Sequence, residues 1–553
     1  MSRLLPFLYV LISLTSFGQG KYTAIYYEEY TNSLMTTPAT YPSAKMVILQ
    51  KDGDSYVGTR AVFERRPASG MNLTIIKSPT VYQNGSLLKD LNFIWTVDST
   101  TAKSYEFTDE RQSKKILGYT AQKYKTIVNS NTIEVWVTTE VKGNIGPSLV
   151  GISKGVVLEV NINNTYVTTA GKIETLKQLP KAFKIPNPTH FHSRLDFKDL
   201  QWRNLFTEIP LVDSAYLGFN PNKKEYNDSY IHAGNGTILI KEITFPELTN
   251  ELIFLDLKQW STGDAYDRTG TVFLLTEEQK DGYLAGILND FKSLPTYPEG
   301  SGKYHGTVKN KNYLPPYELM RFFTTFGAGK YSGGVMKNRN WTNDTYYRQD
   351  ITEYKALLSG KKVYIGFNIG TWTENGHQFS ANITLHPGGE EQSQNIIPLF
   401  NTVPIMEMHG QEYPHHFLDT NGIVVSFDLK EDAKNVRLRF TTTGHGGHSG
   451  GDEFVQITNT VLLDEKVVFT IAPWKSDCAT YRHQNPASGN FENGLSSSDY
   501  NRSNWCPGQI TNPYWIPLGD MKAGTHTIRV KIPQTKNIGG QNNAWYISGQ
   551  LFY

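Results

Sequence analysis

Apolar residues recur at every second position along this 553-residue chain, while long stretches with the 3.6-residue period of a helix are scarce. Ile133, Val135 and Val137 show the pattern early, Val436, Leu438 and Phe440 late, and Ile528, Val530 and Ile532 near the end. Such alternation places one side of each segment in a core and the other in water, which is the signature of a half-buried strand. With 47 Gly and 26 Pro punctuating the strands at short intervals, the chain is confined to all-β sandwiches. One short helix or turn is expected at 350–358, where Ile351, Tyr354, Leu357 and Leu358 share a side.

The first twenty residues carry a single early cation, Arg3, then an apolar run from Leu4 to Leu14, then small and polar residues. They read as a secretory signal peptide, too short for a stable membrane span. Export makes Cys478 and Cys506, the only two cysteines, a candidate disulfide whose loop closure contributes roughly 3.5 kcal/mol. The alternative is two separate thiols. With 54 Lys and Arg against 52 Asp and Glu, the formal charge is +2, which gives no reason to expect nucleic acid or a membrane as partner. Aromatic residues make up 12% of the chain, which suits strands and also saccharide-binding surfaces. At about 150 residues per domain the mature chain holds three or four domains.

A first unit spans 21–175. Within it Ile116-Leu117-Gly118-Tyr119 and Gly146-Pro147-Ser148-Leu149-Val150-Gly151-Ile152 resemble a divergent GLPGLI domain of secreted proteins. A proline-stiffened linker is expected over 176–210, clearest at 177–192.

Three segments carry the chemistry: Asp264-Ala265-Tyr266-Asp267-Arg268, Gly450-Gly451-Asp452-Glu453-Phe454-Val455, and Asn501-Arg502-Ser503-Asn504-Trp505-Cys506-Pro507-Gly508. Together they resemble the peptide-N-glycosidase F family, secreted amidases that remove Asn-linked glycans. The resemblance covers roughly the last two-thirds of the chain and implies two adjacent eight-stranded antiparallel jelly rolls, at 211–387 and 388–553. It implies a monomeric enzyme without cofactor or metal, acting on N-glycosylated peptides and glycoproteins.

Amide hydrolysis needs an activated water, stabilisation of the oxyanion and a proton for the departing nitrogen, which two acids of separated pKa supply. By resemblance Asp267 is the principal catalytic carboxylate and Glu453 the second. Both are expected just before strands, at 271–275 and 454–463. Arg268 and Arg502 would hold carboxylates or substrate, as a planar guanidinium fork can. Tyr266, where the family has Trp, would line the cleft, Trp372 would contact sugar or serve the core, and Trp505 would pack on the disulfide.

His445 matches a family histidine near the site, implying substrate contact; a surface imidazole is the alternative. A metal reading of His445, His448, Asp452 and Glu453 is disfavoured, because a His-x-x-His pair in a glycine-rich loop lacks the i,i+4 geometry of zincins. The family's Glu-Thr-Trp appears here as Gly370-Thr371-Trp372, so a third site acid is missing. Gly370 then enlarges the pocket around the first GlcNAc enough to admit a core α1,3-fucose, or Glu374 swings in as a substitute. The rival functions are a glycoside hydrolase, which also needs two carboxylates, and a non-catalytic glycan-binding protein.

Overall fold

The computed structural model describes residues 22–31, 39–41, 45–50, 53–64, 68–78, 81–98, 106–147, 154–181, 183–223, 225–328, 344–390, 392–412, 415–418, 421–486 and 495–553. The expected signal peptide and the Ser148–Ile152 part of the GLPGLI-like motif lie outside them. Two compact units divide the chain, 1–205 and 206–553.

The first unit is built on one antiparallel sheet of twelve strands. Its earliest strand, Tyr22–Thr31, pairs with its last, Tyr166–Leu176, and the chain meanders outward from that seam to Phe93–Asp98 on one side and Thr108–Ile116 on the other. Ile133, Val135 and Val137 are buried together with Val157 and Val160 of the neighbouring strand, as period-two patterning requires.

The stretch expected to be only a linker departs from that expectation: Arg194–Arg203 is an α-helix. Ser193 accepts the Asp196 N–H at 3.1 Å as its N-cap, which satisfies one of the free donors of the first turn. Phe197 is buried, and the helix lies beside the strand Phe93–Asp98.

The second unit comprises two sandwiches. In the first, a four-stranded sheet (Thr207–Leu217, His377–Pro387, Glu251–Ser261, Asp344–Asp350) faces a six-stranded one. The six are Ile231–Ala233, Ile238–Thr244, Lys362–Ile369, Thr269–Thr276, Tyr317–Phe323 and Ile510–Thr511. Ile253, Leu255 and Leu257 from one sheet meet Val272, Leu274 and Leu319 from the other in a single core. The second sandwich pairs the sheet Ile396–Asn401, Ala544–Phe552, Ala433–His445, Tyr514–Met521 with the sheet Ile423–Leu429, Gly524–Lys531, Asn459–Leu463, Lys466–Ile471. Val436, Leu438, Phe440, Ile528 and Val530 fill its core.

The second sandwich has the eight strands expected; the first has ten, one of which, Ile510–Thr511, crosses over from the second half to pair with Arg321 and Phe322. The expected helix near 350–358 is a single 3₁₀ turn, Thr352–Tyr354, running into Lys355–Leu358. No helix among the described residues is long and apolar enough to cross a membrane.

Candidate active site

Asp267 lies in the loop between the strands Glu251–Ser261 and Thr269–Thr276. That loop is pinned on both sides of it: the Arg268 N–H donates to Thr324 Oγ1 at 2.7 Å, and Thr324 Oγ1 donates to the Tyr266 carbonyl at 2.9 Å. Asp264, fully buried in the same loop, accepts from the Tyr266 N–H at 3.0 Å, Arg268 Nε at 2.7 Å and Thr371 Oγ1 at 2.6 Å. His377 Nε2 stands 3.8 Å from it. Burial alone would raise the Asp264 pKa, but the neighbouring His377 and the hydrogen bonds from Arg268 and Thr371 hold it well below the usual carboxylate range. Asp264 therefore fastens the Asp267 loop to the Gly370–Trp372 segment.

Glu453 sits in a turn, and here the expectation changes: the strand expected at 454–463 begins only at Asn459. The Gly451 N–H bonds back to His448 O at 2.9 Å and the Phe454 N–H to Gly451 O at 2.9 Å, so the chain is still turning. A Cβ on Gly451 would fall 2.0 Å from Gly446 O, which explains the glycine there. The preceding residue, Asp452, is buried and accepts Trp545 Nε1–H at 2.8 Å. Ser503 N–H donates to Glu453 O at 2.9 Å. Glu453 is thus set by its backbone.

Arg502 joins the two acids. Its Nη1 donates to Asp267 Oδ2 at 3.2 Å and also to Glu453 Oε1. Its Nη2 donates to the Ser497 carbonyl and to Ser497 Oγ, the latter at 2.7 Å. The guanidinium is fully buried, 4.3 Å over the Trp505 ring and 5.2 Å from Phe454, and its Nε has no hydrogen-bond partner. Acids 235 and 49 positions before Arg502 in the chain thus converge on one of its nitrogens.

Burial pushes Glu453 up to about 7; Arg502 pulls the other way, and the Asp267 charge adds to the rise. Asp267 is also raised by burial, with Arg502 the main opposing influence. Two acids sharing one cation hold a proton between them near neutral pH while the remaining charge stays on the other carboxyl.

The other expected site residues are distributed as follows. Tyr266 is 59% exposed and receives Arg268 over its face at 4.9 Å, and Trp372 is 53% exposed with Phe219 edge-on at 6.0 Å. Tyr266 directly precedes Asp267 in its loop, and Trp372 follows Thr371, which bonds Asp264. Gly370 has open space where a side chain would begin, with only Thr269 O at 3.7 Å. Glu374 accepts from Asn220 Nδ2 at 2.7 Å on the surface rather than joining Asp267.

Arg268 holds Asp264, not Asp267. His445 does not reach solvent as a substrate contact would: it is buried, bonds Thr443 Oγ1 at 2.9 Å, and stacks on Tyr546 at 4.0 Å and Trp505 at 5.4 Å. Burial holds it well below its ordinary pKa, with Arg321 and Arg502 adding to the effect, so it is a neutral wall behind Trp505. Cys478 and Cys506 are bonded, closing a 28-residue separation beside Trp505.

Two acids escaped the sequence reading. Asp264 stands inside one of the motifs and would have been found by asking what fixes Arg268. Glu407, in the short turn Glu407–His409, is half-buried, with no hydrogen-bond partner for its carboxyl among the described residues. Burial pushes it up to about 7 against the pull of Arg268. Its turn is tied to the strand leading to Gly370 by Asn368 Nδ2, which donates to Ile405 O at 3.4 Å. Nothing in its local sequence signals this.

Profiles of known families match nearly the whole chain: Peptide-N-glycosidase F, N terminal, over 208–385; Peptide-N-glycosidase F, C terminal, over 412–552; and N-glycanase peptide, N-terminal domain, over 29–199. The first unit accordingly matches an N-glycanase N-terminal domain in the region read as GLPGLI-like. None of the curated proteins matches. Among solved structures, PNGF-II in a C2 crystal form is 39% identical with a TM-score of 0.87, covering 96% of this chain and 98% of its own. Its P21 form gives 39% and 0.86 over 96% and 99%. PNGase F, a glycosylasparaginase from Flavobacterium meningosepticum, is 18% identical with a TM-score of 0.42, over 63% of this chain and 94% of its own. With both sandwiches and the extra N-terminal unit matched end to end, the chain belongs to the peptide-N-glycosidase F family, in the longer form that PNGF-II represents.

Proposed function

We propose that this protein is an exported peptide-N-glycosidase that hydrolyses the amide between an N-glycan and its asparagine. The observation that carries the reading is a single buried guanidinium nitrogen donating to both Asp267 and Glu453, with the exposed ring of Tyr266 next to Asp267 in the chain. Asp267 takes a proton from water, whose oxygen attacks the side-chain amide carbon; the oxyanion collapses, the C–N bond breaks, and Glu453 delivers a proton to the departing glycosylamine nitrogen. Aspartate remains on the peptide. Arg502 keeps both acids aimed and compensates the charge on the carboxylate that is ionised. The rings of Tyr266 and Trp372 take the flat faces of the chitobiose core.

Incubation with a denatured N-glycoprotein, followed by mass spectrometry of its peptides, tests this reading. Conversion of the glycosylated Asn to Asp is expected, and Asp267→Asn should lower the rate on the order of 10³-fold. Peptides that keep one GlcNAc on Asn would make the protein a glycoside hydrolase instead.

Gly370 sharpens the substrate class. Its open Cβ direction leaves room beside the first GlcNAc for a core α1,3-linked fucose. Gly370→Glu should therefore suppress turnover of a plant-type fucosylated glycopeptide while sparing the non-fucosylated one; equal turnover of both would refute the assignment.

A further inference from the structure

The N-terminal unit contains a cavity of about 500 Å³ that none of the chemistry above uses. Part of its lining is a row of side chains across three adjacent antiparallel strands, with Thr74 opposite Asn84 and Asn84 opposite Thr96. The helix Arg194–Arg203 closes the other side, anchored by buried Phe197 and by the His192 N–H, which donates to Trp95 O at 2.8 Å. Arg194, Lys198 and Gln201, spaced four and three apart, fall on one helix face and all line the cavity.

The polar groups there are biased toward donation. Thr74 Oγ1 donates to Asn84 Oδ1 at 2.9 Å and Gln201 Nε2 to Asn72 Oδ1 at 3.3 Å. The Asn72 and Asn84 amide oxygens are thereby engaged, and their NH₂ groups are left to donate. Thr96, only 6% exposed, has a hydroxyl without a hydrogen-bond partner among the described residues. No carboxylate lines the cavity. The acids of the helix are engaged elsewhere, Asp196 by Ser193 Oγ at 2.7 Å and Asp199 by Arg203 at 2.9 Å. Arg194 and Lys198 are exposed and lack an ion-pair partner among the described residues. Surplus donors around two unpaired cations select a ligand rich in acceptors and carrying negative charge.

We infer that this cavity is a binding site for an acidic saccharide, its anionic group on Arg194 and Lys198 and its hydroxyl oxygens accepting from the amides and Thr96. The choice of a saccharide over another anion rests on the N-glycanase reading; the site's charge preference does not. A sugar carboxylate and a sugar sulfate present the same chemistry, and binding measurements separate them.

Titration calorimetry on the full chain with a sialylated trisaccharide, a sulfated lactose and neutral lactose tests the assignment, with turnover of a short neutral glycopeptide followed in parallel. At least one acidic sugar should bind about tenfold or more tightly than lactose, and whichever of the two binds identifies the anion. Arg194→Ala with Lys198→Ala should erase that preference, and Thr96→Val should weaken binding about threefold, both with glycopeptide turnover unchanged. Equal binding of acidic and neutral sugars, or undiminished binding in the double variant, overturns the site. Charge-selective binding in a protein that turns over no glycopeptide would refute the proposed activity and leave this site standing.

Discussion

Two buried arginines in the second unit, Arg321 and Arg502, face carboxylates in opposite ways. Arg321 meets one acid: its Nε and Nη2 each donate to a different oxygen of Glu318 at 2.9 Å, and its Nη1 donates to Thr443 Oγ1 at 3.1 Å and to the Tyr546 carbonyl. Ser548 Oγ donates to the same Glu318. One cation balances one anion across the junction of the sandwiches, and each of the three guanidinium nitrogens is engaged. Arg502 instead divides one nitrogen between two acids and leaves Nε unpartnered. The first arrangement is a saturated pair that holds structure; the second carries a surplus carboxyl, which burial forces to keep a proton. Stoichiometry, not burial, separates the scaffold pair from the proposed reactive centre.

The comparison can be broken most directly at the reactive cluster. Arg502→Met should lower turnover on the order of 10³-fold, and its melting temperature should fall mainly above pH 7, where both carboxyls must ionise without a cation. Comparable turnover in this variant would remove Arg502 from the chemistry. At the scaffold, Arg321→Met should cost about 3–5 kcal/mol in denaturant unfolding because it strands Glu318. Turnover per folded molecule should survive, and adding Glu318→Gln should restore part of the loss.

A third measurement concerns the proton itself. Glu453 has a folded-state pKa of about 7 against an ordinary 4.5, so the folded protein binds a proton that the unfolded chain releases. Stability from this group is fully present below about pH 4.5 and is lost as pH rises through about 7. Melting temperatures between those limits should fall more steeply for the wild type than for Glu453→Gln; parallel curves would mean Glu453 is ionised throughout. The smallest effect is expected at Arg268, where the same excess recurs, with Asp264 bonded and Glu407 not. Glu407→Gln should alter turnover by less than about tenfold and flatten its pH dependence near 7.

Much of this was legible from residue types alone. Alternation such as Val436, Leu438, Phe440 marks strands because one face must be dry, and the segments around Asp267, Glu453 and Arg502 were found through their resemblance to a family. Their meeting at one nitrogen was not, since it depends on how three loops are carried by separate sheets. The helix Arg194–Arg203 went unread because half of its residues are charged and it follows prolines. Its one local sign was Ser193 followed three residues later by Asp196, a capping pattern. His445 misled for a physical reason: a loop imidazole and a buried one look alike in sequence, and only stacking on Tyr546 and Trp505 distinguishes them. Glu407 gave no sign, because its environment is supplied by residues far away in the chain.

The strand Ile510–Thr511, which leaves its own sandwich to complete the sheet of the other, follows closely on Arg502 and the disulfide at Cys506. During synthesis the ribosome must therefore release almost the entire polypeptide before the first sandwich gains its last strand, and the same stretch brings Arg502 to Asp267, made 235 residues earlier, and to Glu453, made 49 residues earlier. Completion of the first sandwich and of the acid–arginine cluster becomes a single late event, so a truncated product ending before residue 500 would keep both carboxylates and lack the cation that joins them.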